Sequence, residues 1–354
     1  MTERRLSVVL PNYNHAQYLS RAIDALAEQT TAADEIIVID DASTDDSRDV
    51  LLQCQGRHPN LTVLINPQNL GALFALQRGL EAATGRYIYF AAADDQILPG
   101  FFSHAIEKLE AAPTLGLFCA ETILLDGATG QRIGTRPVVR PLRMGGSLSA
   151  KEVEYLLKRA DNFIHTGSSI FRRQAVVAKR GFVAEAGSFS DGMLARKIAL
   201  TEGMWFMPTP VAIWHIHSGG LSRATALDRD KASDALITLP GLIKNDADFP
   251  PWYAELFKRR WRFGSARLAL EQTPPDRDLL AAMAPNTPLD NIVVGTLSPF
   301  LQFRGARLAI LAWLTLRLQP FRLRDYVVTA LDRRVETERT RAKAWLEGFR
   351  FPKT

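Results

Sequence analysis

The most constraining feature of this sequence is the regular alternation of short apolar runs with helical patterns over its first third. Four runs are rich in β-branched and aromatic residues: LSVVL at 6–10, EIIVID at 35–40, LTVLI at 61–65 and YIYFAAA at 87–93. The segments between them place apolar residues at helical spacing. Strands that alternate with helices predict a mostly parallel sheet joined by crossover helices, which is an α/β fold.

Polar residues gather where three of these predicted strands end. The segments are PNYN at 11–14, DDAST at 40–44 and DDQ at 94–96. In parallel sheets, ligands bind beyond the carboxyl ends of the strands, so we expect these three loops to form one site. The aromatic ring of Tyr13 and a carboxylate near it suit a flat nucleobase, which the ring can stack on.

The paired acids Asp94 and Asp95 constrain the chemistry further. Adjacent carboxylates at the end of a buried strand are unfavourable unless a positive charge compensates them. A divalent cation would supply the positive charge, because Mg²⁺ and Mn²⁺ prefer hard oxygen ligands. Such a cation can bind carboxylate oxygens and diphosphate oxygens together. The pattern therefore favours a site for a metal-bound nucleoside diphosphate.

The rest of the chain divides at about residue 224. Residues 132–146 form an irregular excursion, and 166–176 read as a short strand that leads into a helix. A further helix begins at Asp191, and an extended, proline-interrupted segment at 204–222 carries His215 and His217. Helical patterns dominate afterwards. We expect a catalytic α/β domain at 1–224 and a helical region at 225–354.

Composition excludes several classes of protein. The formal net charge of +5 is mild, and nucleic-acid binding would need a clustered basic patch and not only a positive total, so we expect no nucleic-acid partner. The two cysteines, Cys54 and Cys119, have neither disulfide-framework nor zinc spacing, which favours a reducing compartment. We find no signal peptide and no apolar run long enough to span a bilayer. These observations predict a cytoplasmic protein. An association with the inner face of the membrane stays an open alternative.

The motifs together resemble a known family. The stretches VVLPNYNHAQYLSRAIDALAEQTTAADEIIVIDDASTDDS and NLGALFALQRGLEAATGRYIYFAAADDQILPG, followed by GSSIFRRQAV, the Asp191 helix and WHIHSGGLS, occur in the order found in family 2 glycosyltransferases. These are inverting enzymes with the GT-A fold that use nucleotide-sugar donors. The resemblance covers about residues 6–222.

The resemblance implies a role for each matching position. Asp191 falls where the family has its catalytic base. The expected nucleotide-binding residues are Pro11, Tyr13, Asp41 and Asp94, with Asp41 bonded to the base and Asp40 left unassigned. The expected ligands of Mn²⁺ or Mg²⁺ are Asp94, Asp95 and His217, with His215 facing the opposite way. The loop of Gly167, Ser168 and Ser169 would border the donor sugar and the acceptor.

Three positions depart from the family pattern. Ala92 stands where the first acid of the metal-binding DxD motif is expected, which weakens the case for strict metal dependence. Ser190 precedes Asp191 where another acid is common, and Gln77 replaces a common asparagine. A catalytically degraded nucleotide-sugar-binding or scaffold protein therefore remains the alternative. A sugar nucleotidyltransferase or a dinucleotide dehydrogenase would need a glycine-rich loop after the first strand, which PNYNHAQ does not provide.

The expected activity is transfer of a sugar, with inversion, from a nucleotide-diphosphate sugar to a hydroxyl of a glycan or a lipid-linked acceptor, in the synthesis of cell-surface polysaccharide. UDP is the expected nucleotide. Residues 298–324 combine Leu, Phe and Trp with arginines and contain no acid. Two interpretations stay open for them: amphipathic helices that cover the catalytic domain or form a homodimer, or helices that contact a membrane surface.

Overall fold

The computed structural model describes residues 5–160, 162–217 and 219–348, with side chains as far as residue 338. Ten strands within these residues form one sheet: β1 (Leu6–Asn12), β2 (Glu35–Asp40), β3 (Leu61–Ile65), β4 (Tyr87–Phe90), β5 (Gln96–Ile97), β6 (Leu117–Asp126), β7 (Arg132–Arg136), β8 (Gly146–Leu148), β9 (Ser169–Arg172) and β10 (Met204–Ile216).

Helices connect the strands, and the described chain after β10 contains only helices and loops. Those up to β10 are α1 (Ala16–Ala27), α2 (Ser47–Arg57), α3 (Ala72–Ala82), α4 (Phe101–Ala111), α5 (Ala150–Leu157), α6 (Arg173–Ala178) and α7 (Ser190–Glu202). Those after it are α8 (Leu221–Leu227), α9 (Arg229–Lys244), α10 (Tyr253–Glu271), α11 (Arg277–Met283), α12 (Pro288–Leu297), α13 (Arg304–Leu318) and α14 (Leu323–Gly348). Short 3-10 turns lie at Thr166–Ser168, Ala184–Phe189 and Ser298–Phe300.

The strand order is β3-β2-β1-β4-β9-β6-β10-β5, with β7 paired to β6 and β8 to β10. The first four strands are parallel, as the alternation predicts, and β6 and β10 are parallel to each other. Because β9 is antiparallel to both β4 and β6, these six strands end at the same edge of the sheet. The turn at Thr166–Ser168 leads into β9 from that edge.

Two apolar layers cover the sheet because alternate strand residues face opposite sides. Val8 and Leu10 of β1 pack with the first layer, beside α1, α2 and α4. Val9 packs with the second layer, where α3, α5, α6 and α7 lie. Every residue of β2 is buried, as expected for a central strand covered on both faces.

The C-terminal helices are packed against the α/β part. Side chains of α9 and α10, such as Leu239, Ile243 and Phe257, belong to the same buried layer as α7. A separate cluster unites α10 with α11, α12 and α13. The boundary predicted after residue 224 lies inside α8, and a division into two domains there stays a prediction.

Helix α14 returns to the sheet through a buried ionic network. Glu121 of β6 is 1% exposed and accepts hydrogen bonds from Arg140 and from Arg333 of α14 at 2.8 and 2.7 Å. Arg140 also bonds to Glu336 of α14 at 2.6 Å. Because each charge has an opposite partner, the network can stay ionised while it holds α14 on the excursion at 132–146.

Some local predictions differ from the structure. The predicted strand at 87–93 ends at Phe90, and the alanines that follow leave the ladder before the acidic pair. Ser43 and Asp46 have the spacing of a capping box that would begin a helix at about residue 45, but no capping box forms there. The hydroxyl of Ser43 instead accepts hydrogen bonds from Asn12 and Asn14, while Asp46 stands at the start of α2 without a side-chain cap. The Ser43 hydroxyl is therefore used in contacts between the two loops and not to cap the following helix.

Candidate active site

Tyr13 projects from a loop that its two neighbours fix in place. Asn12 donates to the Asp40 carboxylate at 2.9 Å, and the side-chain oxygen of Asn14 accepts from the Thr44 amide at 2.8 Å. These bonds join the loop after β1 to the loop after β2. Tyr13 itself is 43% exposed, so its ring is free to stack on a flat ligand.

Asn12 and Asn14 are contributions that the sequence analysis missed, and they also define the role of Asp40. That carboxylate is completely buried and accepts from both Asn12 and the Ser43 amide. It therefore fixes the two loops and takes no part in ligand contact. Pro11, which precedes Asn12 in β1, is half-buried at the same strand end.

Asp41 holds the loop that leads into α3. Its carboxylate is 2% exposed and accepts from the Asn66 side chain at 2.6 Å and from the Gly71 and Leu70 amides at 2.7 and 3.0 Å. Arg78 in turn donates to Asn66, a link that the sequence did not indicate. The Leu70 amide contacts both carboxylate oxygens, so Asp41 accepts four contacts from these three donors. Its contact with the base stays a prediction.

The acidic pair lies at the edge where β4 has ended. The Asp95 carboxylate accepts from the His215 amide of β10 at 3.2 Å. Burial, and then the neighbouring Asp94 carboxylate, raise the pKa of Asp95 well above its ordinary value. Neither carboxylate forms an ion pair with any residue that the structure describes. Among the residues that the structure describes, the two carboxylates therefore have no positively charged partner.

The histidines of β10 are placed differently from the expectation. The rings of His215 and His217 lie on the same side, 6.5 Å apart and within 25° of parallel. The expectation that they face opposite ways is wrong, because residues two apart on a strand share a face. His217 also packs 6.0 Å from Tyr18 and closely against Gly127, where a Cβ would lie 2.4 Å from the ring.

Both rings keep a buried nitrogen without a hydrogen-bond partner among the described residues, Nδ1 of His215 and Nε2 of His217. Buried polar atoms are normally paired, so these two nitrogens are available to a ligand. Within the described chain, no group of three or more His, Cys, Asp or Glu side chains is arranged to hold a metal ion. Mg²⁺ and Mn²⁺ do not need three, since one or two carboxylates and substrate phosphates suffice. The pair Asp94 and Asp95 fits such a cation.

Asp191 lies in the first turn of α7 and is tied to the turn before β9. Its carboxylate accepts from the Thr166 hydroxyl and from the Gly192 amide, both at 2.6 Å. Thr166 is another residue that the sequence analysis did not select. A carboxylate held by two donors and half-buried has a fixed direction, as a general base requires.

The turn at Thr166–Ser168 connects Asp191 with the acidic pair. Gly167 lies between them: its Cβ position would be 3.8 Å from the Asp95 carboxylate, and its carbonyl accepts from the Tyr89 hydroxyl at 3.0 Å. Ser168 and Ser169 are fully buried, and their hydroxyl groups donate to main-chain carbonyls. Their side chains hold the loop, whereas Gly167 borders the site.

Comparison with known proteins identifies the family. Residues 7–176 match the model of glycosyl transferase family 2. An uncharacterized glycosyltransferase of Nostoc sp. is 39% identical over 250 residues, which are 68% of this chain and 75% of that protein. The Bacillus subtilis glycosyltransferase TuaG, provisionally assigned to teichuronic acid biosynthesis, is 35% identical over 91 residues, 26% of this chain and 36% of that protein.

Solved structures show the same fold. A Staphylococcus aureus TarS fragment in complex with UDP-GlcNAc gives a TM-score of 0.59 at 16% identity, covering 87% of this chain and 88% of that one. The mannosyltransferase PcManGT from Pyrobaculum calidifontis, in complex with GDP-Man and Mn²⁺, gives 0.56 at 20% identity and covers 94% and 88%. The fold class predicted from the sequence is confirmed. The chain belongs to glycosyltransferase family 2 and has the GT-A fold of that family.

Proposed function

We propose that this glycosyltransferase moves a sugar, with inversion, from a nucleotide-diphosphate sugar to a hydroxyl of a glycan or lipid-linked acceptor. The observation that carries the proposal is the turn at Thr166–Ser168, which connects Asp191 to the Asp94 and Asp95 pair. A base and a charge-compensated leaving group on either side of one turn are what a single displacement needs. The provisional assignment of TuaG supports a role in cell-surface polysaccharide synthesis.

The residues divide the work of the reaction. Tyr13 and Pro11 pack on the base, and Asp41 bonds its N–H. Asp94 and Asp95 hold Mn²⁺ or Mg²⁺, with His217 as a further nitrogen ligand. When bound, the cation neutralises the charge of the departing nucleoside diphosphate.

Asp191 takes the proton of the acceptor hydroxyl as the oxygen attacks the anomeric carbon. Thr166 fixes the orientation of the carboxylate through its 2.6 Å hydrogen bond. One base is sufficient because attack comes from the face opposite the leaving group, so no covalent intermediate is required.

A donor screen tests the proposal. UDP-GlcNAc and GDP-mannose would be added with and without Mn²⁺, with thermal unfolding and release of UDP or GDP as readouts. We expect at least one donor to stabilise the protein only with Mn²⁺ and to be turned over slowly with water as acceptor. UDP is the nucleotide we propose. If no nucleotide sugar stabilises the protein, the donor assignment is wrong.

The replacement at Ala92 supports a second candidate, a scaffold that binds nucleotide sugars without catalysis. Such a protein would keep the site of Tyr13 and Asp41 and would be stabilised by donor. Release of UDP or GDP distinguishes the two candidates. Turnover of any donor above the rate without protein would reject the scaffold.

The C-terminal helices support a contact with an anionic membrane surface. Phe300, Phe303 and Leu308 are exposed by 51, 60 and 54% beside Arg304, in a stretch that contains no acid. No helix within the described residues is long and apolar enough to cross a membrane. Basic and apolar side chains together suit an interfacial contact with anionic lipid. Flotation with phosphatidylglycerol vesicles tests it, and a dimer that does not float would favour the self-association interpretation.

A further inference from the structure

A half-buried arginine without a side-chain partner lies near His165, which directly precedes the turn at Thr166–Ser168. Arg136, at the end of β7, keeps its Nε atom buried and makes no side-chain hydrogen bond or ion pair with the described residues. Its guanidinium lies 5.6 Å from the centre of the Trp214 ring. A cation over an aromatic face is attracted to it, and the ring fixes the plane of the guanidinium. The contact orients Arg136 but leaves its donors unused.

Two other arginines close to the sheet have hydrogen-bond partners within the chain. Arg140 is held by the carboxylates of Glu121 and Glu336. Arg172 donates to the main-chain carbonyls of Leu115 and Ala112. A guanidinium that serves only to hold the fold needs such partners, because unused buried donors are costly. Arg136 makes no such hydrogen bond within the described residues, and a ligand group can supply one.

The surroundings of Arg136 are positive. Burial and the guanidinium groups of Arg267 and Arg196 lower the pKa of Arg136 to about 10, which keeps it charged at pH 7. Burial, together with Arg136, also lowers the pKa of His165 to about 3, so this imidazole is neutral and adds no charge. Its Nδ1 lies 3.3 Å from the Thr122 hydroxyl. The field around Arg136 therefore favours an anion.

A short chain of contacts leads from Arg136 to the proposed base. The guanidinium of Arg136 lies over the Trp214 ring, and the centre of that ring is 4.9 Å from the centre of the His165 ring. His165 directly precedes Thr166, whose hydroxyl holds Asp191. Asp191 contacts this segment through Thr166, and Arg136 approaches it through the rings of Trp214 and His165.

We propose that Arg136, oriented by Trp214, binds an acidic group of the acceptor, a carboxylate or a phosphate, while the acceptor hydroxyl meets Asp191. The inference rests on the proposed function and narrows its acceptor class from any glycan to an acidic one. A guanidinium presents its donors in a fork that matches two oxygens of either group. Arg136 is a specificity residue here and takes no part in proton transfer.

Matched acceptor pairs test the inference. Methyl β-D-glucuronide is compared with methyl β-D-glucoside, and sn-glycerol 3-phosphate with glycerol, by ligand-observed NMR titration of protein saturated with UDP or GDP. We expect one acidic compound to bind about tenfold more tightly than its neutral partner, since hydrogen bonds to charged groups supply this much. The pair that shows the difference tells whether the group is a carboxylate or a phosphate.

Variants separate Arg136 from the general positive charge of the chain. Arg136→Gln should remove the preference and leave binding of the neutral compounds unchanged, while Arg136→Lys should keep part of it. Arg132→Gln removes the same charge from an exposed position of the same strand and should keep the preference in full.

Two results would overturn the inference. One is equal binding of acidic and neutral partners by the unaltered protein, a comparison that needs no variant to fold. The other is a preference that survives in Arg136→Gln. Failure of UDP and GDP to bind counts against the proposed function itself. Nucleotide binding without an acidic preference counts against the Arg136 assignment alone.

Discussion

Replacement of Asp191 by asparagine is the sharpest test of the proposed chemistry. The carboxylate accepts from the Gly192 amide and the Thr166 hydroxyl, both at 2.6 Å. An asparagine can keep both contacts: its oxygen accepts from Gly192, and its NH₂ group donates to Thr166, whose hydroxyl can also accept. The exchange should cost no more than about 1 kcal/mol of unfolding free energy, the value of one hydrogen bond.

Asp191→Asn should lose activity by a far larger factor. An amide cannot take a proton from the acceptor hydroxyl, and positioned general bases contribute about 10²–10⁴-fold to rate. We expect turnover to fall by at least 100-fold while the dissociation constant of the donor changes less than about twofold. The assays are release of UDP or GDP and calorimetric titration of the donor with Mn²⁺.

Two companion variants decide how the result is read. Asp276→Asn makes the same exchange at the N-terminus of α11, where the carboxylate caps Leu279, and should leave turnover intact. Thr166→Val removes the hydroxyl that orients Asp191 and should reduce turnover less than Asp191→Asn does. If Asp191→Asn retains more than a tenth of the turnover with donor binding intact, Asp191 is not the base.

Three further predictions concern charge. Asp94→Ala should abolish the Mn²⁺-dependent part of donor binding in calorimetry; an unchanged affinity would contradict the metal assignment. Asp95→Asn should raise the midpoint of thermal unfolding in metal-free buffer at pH 7, because burial and Asp94 raise the pKa of Asp95 and ionising it costs native stability. For the same reason the metal-free protein should lose stability as the pH rises above about 4, the ordinary value for an aspartate, and a flat profile would refute this. Glu121→Gln should cost about 3 kcal/mol in denaturant unfolding, because Arg140 loses its buried partner, whereas the exposed Glu107→Gln should leave the denaturation midpoint unchanged.

The sequence was sufficient for the parallel half of the sheet. β2 and β3 begin and end at the predicted residues, since each is an apolar run bounded by polar residues and its burial needs no distant partner to be foreseen. The end of β4 was misplaced for the opposite reason. Ala91 and Ala93 look like strand residues locally, but the chain turns there to bring the acids to β10.

The site residues were predictable only where their chemistry is visible in one segment. Adjacent acids and a tyrosine in a polar loop can be recognised from the local sequence. Asn12, Arg78 and Thr166 instead act through partners about 12–28 positions away, which no local pattern reveals. Arg136 was missed because its significance is an absence of partners, and this can be judged only in three dimensions. The prediction that His215 and His217 face opposite ways was an error in assigning strand faces, since their two-residue spacing itself indicates a shared face.

The C-terminal helices lie outside the residues that match the family model, as Asp191 does, and one of them packs beside the proposed base. Phe257 of α10 packs its ring 4.7 Å from that of Phe189, the residue directly before α7. Because Asp191 lies in the first turn of α7, its position depends on how firmly that turn is packed. The orientation of the proposed base therefore depends on packing contacts that α10 supplies.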